Sequence, residues 1–353
     1  MISSVYISRF RGIRKGSIEG LEQVSVLIGR NGAGKSSVLE ALYLVSACAG
    51  SRDVVRRIDK LDYVVNRRGG RGRWDELRRV LWYMGDTENP IEIQIESENK
   101  TLKFIAVDVH TGSSPIRMVT GDGLLIELEG GHVSKSIEDL KAGHWSMTIK
   151  SIEGELAEVK RFLDGFLLVD GVLARQPTIV EAFAWPRILS KRLDKHVVEI
   201  IREEFEPEAE GLTYVPSDKD YYLALQTART AVRIDDLGDG ARTALLAAML
   251  VLAYRPTVLL VEEPELHMHP AGLYTYMKFL IRLAKDIGFQ IIASTHSIEL
   301  VQILQALAKE LGIELAALYL EREDDVLRAR SFSADDFEIL RKLGIDIRFL
   351  YRF

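Results

Sequence analysis

Four groups of residues in this chain have types and spacing that fit phosphate chemistry. The first is a glycine-rich run that ends in a lysine and two serines, Gly29-Arg30-Asn31-Gly32-Ala33-Gly34-Lys35-Ser36-Ser37. It matches the pattern G-x-x-x-x-G-K-[ST] at every fixed position. Glycines permit positive φ, so successive backbone N–H groups can turn toward one phosphate. The run therefore predicts a loop that cradles the phosphates of a nucleotide.

Lys35 and Ser36 stand where this loop meets the next helix. We expect Lys35 to bridge the β- and γ-phosphates of ATP and Ser36 to ligate Mg²⁺. The positive end of the helix adds to the attraction for phosphate. The apolar run from Val24 to Ile28 predicts a buried strand before the loop, and a helix is predicted from Lys35 to about Ala49. A glycine-rich turn without a ligand is the alternative, but it gives no reason for Lys-Ser at the helix start.

The second group is a pair of carboxylates after the apolar run from Val258 to Val261. In an open parallel sheet, ligands bind at the carboxyl ends of the strands. We expect Glu262 to hold Mg²⁺, through water, and Glu263 to orient or deprotonate the attacking water. The alternative is a solvated acidic turn after a core strand.

The third group contains histidines. His296 follows the apolar run from Ile291 to Ala293, and we expect it to reach the γ-phosphate. The alternative is a helix-capping Ser/Thr cluster with a bystander histidine. His267 and His269 have i, i+2 spacing, which is not a helical zinc pattern. They are predicted in a loop that packs against the nucleotide or a partner subunit.

The fourth group precedes a helix predicted from about Ala241 to Ala253, and it consists of Gly238, Asp239, Gly240 and Arg242. Glycines at a helix start favour a second anion-binding nest. Because one ATP needs only one nest, the second predicts a nucleotide bound between two copies of the chain. An ordinary helix N-cap is the alternative.

Composition narrows the class of protein. The 353 residues include 46 basic and 52 acidic side chains, for a net charge of −6, which excludes a globally basic nucleic-acid coat but not a local basic patch. The single cysteine, Cys48, excludes an internal disulfide framework and a four-thiolate zinc site. The N-terminus has no leader pattern, and the most apolar helical stretch, Ala244 to Tyr254, is shorter than the ~20 residues that span a bilayer. We expect a cytoplasmic protein without a membrane partner.

Strands that alternate with helices predict an α/β fold with a mostly parallel core sheet covered on both faces. The helices are predicted after Gly34, before Val258, after Pro270 and from Ile298, and a last strand is predicted at Leu318 to Leu320. We expect a discontinuous core, 1–49 with 213–353, and an insertion, 50–212. The insertion divides into a basic segment (50–85), an antiparallel β patch (86–150) and a helical lobe (151–212). The patch is predicted from four strand-like runs, Ile91–Ile95, Leu102–Val107, Leu124–Leu128 and Trp145–Ile149.

The basic segment has two open interpretations. Residues 51–80 carry ten basic and five acidic side chains, and the glycines between Arg67 and Arg73 favour a loop. One is a nucleic-acid-binding segment, in which the arginines from Arg52 to Arg79 bind phosphates and the nearby Trp74 and Trp82 stack on bases. The alternative is a solvated loop, or arginines that pair with the acidic region 155–212.

Taken together, these motifs resemble the ATPase heads of the non-transporter ABC branch, which includes RecF, the SMC-type repair ATPases and the OLD family. The order matches: P-loop, insertion, signature segment, carboxylate strand, histidine loop. Glu262-Glu263-Pro264-Glu265 with the following histidines is most similar to the OLD-like ATPases, and the stretch after His296 is too short for their Toprim nuclease domain. The resemblance covers 1–49 and about 213–300.

The resemblance implies a head-to-tail homodimer in which ATP lies between the P-loop of one copy and the signature of the other. Glu263 would be the catalytic base and His296 the γ-phosphate sensor, with Lys35 on the phosphates. This chain departs from the family at three points. Gly238 stands where transporters have serine, so Arg242 is the candidate substitute. Glu262 replaces the usual aspartate, and Gln94 lies in a strand-like run, so no Q-loop glutamine is assigned.

The implied process is DNA repair or defence against mobile DNA, with double-stranded DNA as a partner. The alternative is a nucleotide-gated scaffold that recruits a separate effector protein. A transporter subunit is disfavoured by the signature and the long insertion.

Overall fold

The structure is a computed structural model. It describes residues 1–50, 52–69, 77–97, 100–106, 117–120, 125–127, 155–216, 218, 220–266, 268–332 and single positions between 336 and 343.

Three short apolar strands form the centre of the fold: β3 (Val24–Ile28), β12 (Val258–Glu262) and β13 (Gln290–Thr295). Successive side chains of a strand point to opposite faces of the sheet. In β12, Leu259 and Val261 pack into one hydrophobic layer, whereas Val258 and Leu260 pack into the other. Both faces are therefore buried, which explains why the sequences of these strands are continuous apolar runs.

The other described strands extend this sheet or form a small second one. In chain order they are β1 (Ile2–Phe10), β2 (Ile13–Glu19), β4 (Ile91–Ser97), β5 (Lys100–Ala106), β6 (Arg117–Thr120), β7 (Leu125–Glu127), β8 (Phe166–Val169), β9 (Ala209–Pro216), β10 (Tyr221–Thr227), β11 (Ala231–Arg233), β14 (Leu315–Glu323) and β15 (Val326–Phe332). The large sheet has the order β7-β6-β5-β4-β1-β2-β15-β14-β3-β13-β12-β8, and β9, β10 and β11 form an antiparallel sheet.

The large sheet has a parallel and an antiparallel half. Strands β14, β3, β13, β12 and β8 run parallel to one another, and β7, β6, β5, β4, β1 and β2 pair with one another in antiparallel fashion. Strand β15 joins the two halves, antiparallel to β14 and parallel to β2. The α/β class, the parallel core and the antiparallel patch are confirmed. The predicted strand at Trp145–Ile149 lies outside the described residues.

Helices cover both faces of the parallel half. They are α1 (Lys35–Val45), α2 (Lys60–Asn66), α3 (Glu155–Asp164), α4 (Gly171–Ala174), α5 (Pro177–Ser190), α6 (Asp194–Glu204), α7 (Asp239–Tyr254), α8 (Pro270–Ile287) and α9 (Ile298–Leu311). A 3₁₀ turn, Ser46–Cys48, follows α1 and brings the chain close to the predicted helix end. In the described part of the chain, no helix is both long and apolar enough to cross a membrane.

Several elements differ from the sequence-based expectations. The basic segment contains helix α2, which Asp59 caps by accepting hydrogen bonds from the N–H groups of Leu61 and Asp62. The helical lobe contributes β8, which pairs with β12 in the core sheet. The strand at Leu318 to Leu320 is not the last, because β15 follows it as a hairpin. Since β4–β8 join the sheet of the core strands, the division into core and insertion stays a prediction.

Candidate functional site

The strand register brings the predicted site residues to one edge of the sheet. Ile28 of β3 lies opposite Thr295 of β13, and Ser294 of β13 lies opposite Glu262 of β12. The glycine-rich loop, His296 and Glu263 directly follow these positions. Because parallel strands end at the same edge, three distant parts of the sequence meet there.

The glycine-rich loop is shaped by glycines that no other residue replaces without strain. Gly29 has φ 153°, and a Cβ there would lie 2.4 Å from the carbonyl oxygen of Leu320 on β14. Gly34 has φ 103° and is the N-cap of α1, so it turns the loop into the helix. The predicted strand–loop–helix context is therefore present.

Lys35 points back into this loop. Its Nζ donates to the carbonyl oxygens of Gly29 (2.7 Å) and Arg30 (3.1 Å), and it lies 3.4 Å from Nδ1 of His296. Burial lowers the pKa of Lys35 to about 8, although the carboxylates of Glu263 and Glu265 act in the opposite direction. The ammonium group is thus held in a poorly hydrated place where an anion would stabilise it.

His296 joins Lys35 to Glu263. Its Nε2 lies 3.2 Å from Oε1 of Glu263, and its Nδ1 faces Lys35. An ammonium group can only donate, so Nδ1 of a neutral ring accepts and Nε2 carries the hydrogen that Glu263 accepts. The structure therefore brings together the three residues predicted to act on the γ-phosphate and the water.

The turn after β12 is fixed by hydrogen bonds to β13. Glu263 has φ 48°, a conformation that side-chain-bearing residues rarely adopt, and its N–H donates to the Ser294 carbonyl (2.9 Å). Oε1 of Glu265 accepts from Oγ1 of Thr295 (2.6 Å) and from the N–H of His296 (3.1 Å). Glu265, to which the sequence analysis assigned no role, thus ties the carboxylate turn to the histidine.

The predicted metal ligands fit Mg²⁺ by their chemistry. Ser36 follows Lys35 in the first turn of α1, and Glu262 ends β12 at the same edge of the sheet, so both offer oxygen atoms of the kind that Mg²⁺ prefers. Mg²⁺ usually takes one or two carboxylates plus the phosphates of its nucleotide. The described residues contain no cage of three or more His, Cys, Asp or Glu side chains, which a phosphate-bound Mg²⁺ does not need.

Glu262 also has a partner that the sequence analysis did not anticipate. Nη2 of Arg67, at the end of α2, donates to Oε2 of Glu262. Arg67 further contacts Glu40 and Asp170, at 3.3 Å each. These partners are far apart in the sequence, so no local pattern signals the contact.

The basic segment is partly buried. Arg56 pairs with Asp53 (3.2 Å) and with Asp170 (3.0 Å), which follows β8. Arg56 and Arg67 therefore follow the alternative in which arginines pair with the acidic region 155–212. Trp82 is buried, so it offers no exposed face for a base. The stretch from Gly70 to Glu76, including Trp74, lies outside the described residues.

The helix after Gly238 begins at Asp239, two residues before the predicted start, so Gly238 is its N-cap and the rest of the signature segment forms the first turn of α7. Arg242 pairs with Asp239 and donates to the Asp235 carbonyl (3.1 Å). Asp239 and Arg242 line a cleft whose other wall includes Glu262 and Glu263, and the described lining contains neither Lys35 nor Ser36. Of the remaining histidines, His269 caps α8 through Nδ1, and His267 lies outside the described residues.

Two protein-family profiles match the chain. Residues 1–110 match the family described as "AAA ATPase domain", and residues 175–302 match "AAA domain, putative AbiEii toxin, Type IV TA system". The crystal structure of an SmcHead bound to the C-winged helix domain of ScpA is similar in fold, with a TM-score of 0.54 and 11% identity over 95% of this chain and 99% of that one. The two family matches and the glycine-rich loop thus define a P-loop ATPase, and its fold is similar to that of an SMC head.

Two curated relatives extend this result. The "Uncharacterized protein MJECL11" of Methanocaldococcus jannaschii is 31% identical over 113 residues, which are 32% of this chain and 99% of that protein. This chain belongs to the same family as that protein. An "ATP/GTP phosphatase" of Helicobacter pylori is 20% identical over 96% of this chain and 97% of that protein.

Proposed function

We propose that this chain binds ATP with Mg²⁺ and hydrolyses the γ-phosphate. The observation that carries the proposal is the chain of contacts from Lys35 through His296 to Glu263, at the edge where β3, β13 and β12 end. The "ATP/GTP phosphatase" relative supports nucleotide hydrolysis as the reaction.

The proposed roles follow from the chemistry of each group. Lys35 turns its ammonium from the loop carbonyls to the β- and γ-phosphate oxygens. Glu263 accepts a proton from water, whose oxygen attacks the γ-phosphorus while the bond to ADP breaks. His296 donates from Nε2 to Glu263 and so holds this carboxylate beside the γ-phosphate. Mg²⁺, held by Ser36 and Glu262, would neutralise phosphate charge.

A substitution at Glu263 tests this reaction. In Glu263→Gln the hydrolysis rate should fall by about 10²–10⁴-fold, the usual contribution of a positioned base, while ATP binding persists. Glu323→Gln is the matched control, because Glu323 pairs with Arg328 on the exposed β14–β15 hairpin. A Glu263→Gln enzyme that hydrolyses ATP at the wild-type rate would contradict the proposal.

We further propose the head-to-tail dimer that the OLD-like resemblance implies. Its support is the second glycine-bearing helix start at Gly238, since Asp239 and Arg242 of this segment line a cleft whose described lining does not include Lys35. In sedimentation experiments with ATP, the Glu263→Gln protein should have twice the 39.8 kDa mass of one chain. The double variant that also carries Arg242→Ala should have the mass of a monomer. A Glu263→Gln chain that binds ATP and stays monomeric would exclude the shared site.

We propose that double-stranded DNA is the partner that stimulates the ATPase, in repair or in defence against mobile DNA. The RecF- and SMC-like order of motifs supports this proposal. A protein partner is the second candidate, because the SmcHead of similar fold is bound to ScpA. ATPase rates with and without double-stranded DNA, at matched salt, separate the two. Stimulation of several-fold supports DNA, and an unchanged rate supports a protein partner.

A further inference from the structure

Arg67 occupies a position where three carboxylates from three elements converge. Glu40 comes from α1, Asp170 follows β8, and Glu262 ends β12. The Arg67 side chain is only 6% exposed. One planar guanidinium, with five N–H donors, can serve several acceptors at once.

We propose that Arg67 is a positioning residue for the nucleotide-bound metal and acts through Glu262. Arg67 contacts Oε2 of Glu262, and in the described part of the chain nothing is hydrogen-bonded to Oε1. Holding one oxygen orients the second toward the metal or its water. This inference rests on the proposed function, since it assigns Arg67 to the metal side of that site.

The neighbouring arginines show why Arg67 is more than a structural ion pair. Arg56 already compensates Asp170, at 3.0 Å, and Arg68 compensates Glu40 with two hydrogen bonds of 2.8 Å. Glu262, by contrast, has Arg67 as its described ion-pair partner. The three carboxylates also keep Arg67 charged: burial lowers its pKa, but Asp170, Glu262 and Glu40 together raise it above its usual value.

Outer partners of this kind tune metal affinity. A carboxylate that ligates a metal is usually fixed by a hydrogen bond of its own, and loss of that bond costs about 10–100-fold in metal affinity. A lysine in place of Arg67 would keep the positive charge among the three carboxylates but lose the fork that reaches them together. Arg67→Lys therefore separates positioning from charge balance.

The experiment uses Mn²⁺ as the probe in place of Mg²⁺, with a non-hydrolysable ATP analogue. Electron paramagnetic resonance gives the Mn²⁺ affinity of the protein–analogue complex without any turnover. Arg67→Lys should weaken Mn²⁺ binding by about tenfold or more. Arg11→Lys is the matched control, because Arg11 is also buried and shares Glu40 but does not contact Glu262, and the Mn²⁺ affinity of this variant should stay within about twofold of wild type.

A double-mutant cycle then tests the route through Glu262. In a Glu262→Gln background, Arg67→Lys should cause no further loss, because the carboxylate it orients is gone. Thermal unfolding without ligands checks that each variant folds. If Arg67→Lys does not fold, the Mn²⁺ affinity is measured for Arg67→Gln, which keeps an amide donor.

Three results would overturn the proposal. Unchanged Mn²⁺ affinity in Arg67→Lys would leave Arg67 as a structural ion pair. Tighter binding would make Arg67 a competitor of the metal. An equal loss in the Glu262→Gln background would mean that Arg67 acts elsewhere. A wild-type chain that binds no Mn²⁺ with the analogue would instead remove the proposed function itself.

Discussion

The loop Gly29–Ser36 and the segment 52–69 both carry basic side chains, but they use them in different ways. In the loop, Lys35 donates to two backbone carbonyls within six residues of itself. In the segment, Arg56 and Arg67 reach Asp170 and Glu262, more than 100 residues away. The loop is therefore shaped by local backbone chemistry, whereas the segment is held by pairs that form only in the folded chain.

The largest expected effect lies in the loop. Lys35→Ala removes the ammonium that we propose contacts the phosphates, so ATP affinity should fall by about 10–100-fold and hydrolysis by more. Isothermal titration and phosphate release measure the two losses separately. Lys15→Ala, an exposed lysine on β2, is the control and should match wild type. Equal ATP affinity in Lys35→Ala and wild type would refute the assignment of the loop.

The next effect belongs to the buried segment and concerns folding. Arg56→Met leaves Asp53 and Asp170 buried with less positive charge beside them, so the free energy of unfolding should fall by about 3–5 kcal/mol. Arg57→Met is the neighbouring control. Arg57 is exposed and stacks on Phe183, so its loss should cost less than about 1 kcal/mol. Urea unfolding curves that coincide for the two variants would contradict the expected difference in stability between buried and exposed arginines.

The pH dependence of ATP binding tests the loop more finely. The pKa of Lys35 is about 8, so the protonated fraction in the free protein falls as pH rises through 8. Since the ammonium form binds phosphate, ATP affinity should drop by about tenfold between pH 7 and pH 9. A guanidinium keeps its charge throughout this range, so the Lys35→Arg variant should show a flat profile. A flat wild-type profile would mean that Lys35 keeps its proton throughout.

The smallest effect concerns the start of α2. Asp59→Ala removes two side-chain hydrogen bonds to the first N–H groups of this helix and should cost about 1 kcal/mol of unfolding free energy. Asp59→Asn keeps the cap and should cost much less. If both variants lose equal stability, the charge of Asp59 rather than its cap supports the helix.

The sequence predicted the parts of the site that depend on local patterns. The loop glycines, the buried strands β3, β12 and β13, and the residues that follow each strand lie where the patterns place them. Parallel strands end at one edge of the sheet, so a parallel sheet with these motifs at its strand ends was enough to expect Lys35, Glu263 and His296 near one another.

The sequence could not predict elements that depend on tertiary partners. β8 is a four-residue apolar run between helices, and periodicity cannot distinguish such a run from a buried helical turn. Arg67 and Glu262 are 195 residues apart, and composition counts charges without showing which of them pair. The interpretation of the arginines from Arg52 to Arg79, with the nearby tryptophans, as a nucleic-acid-binding segment was wrong for Arg56, Arg67 and Trp82, because a count of charges contains no information about burial.

We propose that Glu263 and His296 act as one hydrolytic unit beside Lys35. Single-turnover hydrolysis of ATP in Glu263→Gln, His296→Ala and the double variant tests it most directly, at saturating ATP. Residues that act together are not additive, so the double variant should be no slower than the slower single variant. Losses that multiply in the double variant would show that the two residues act independently and would contradict the account.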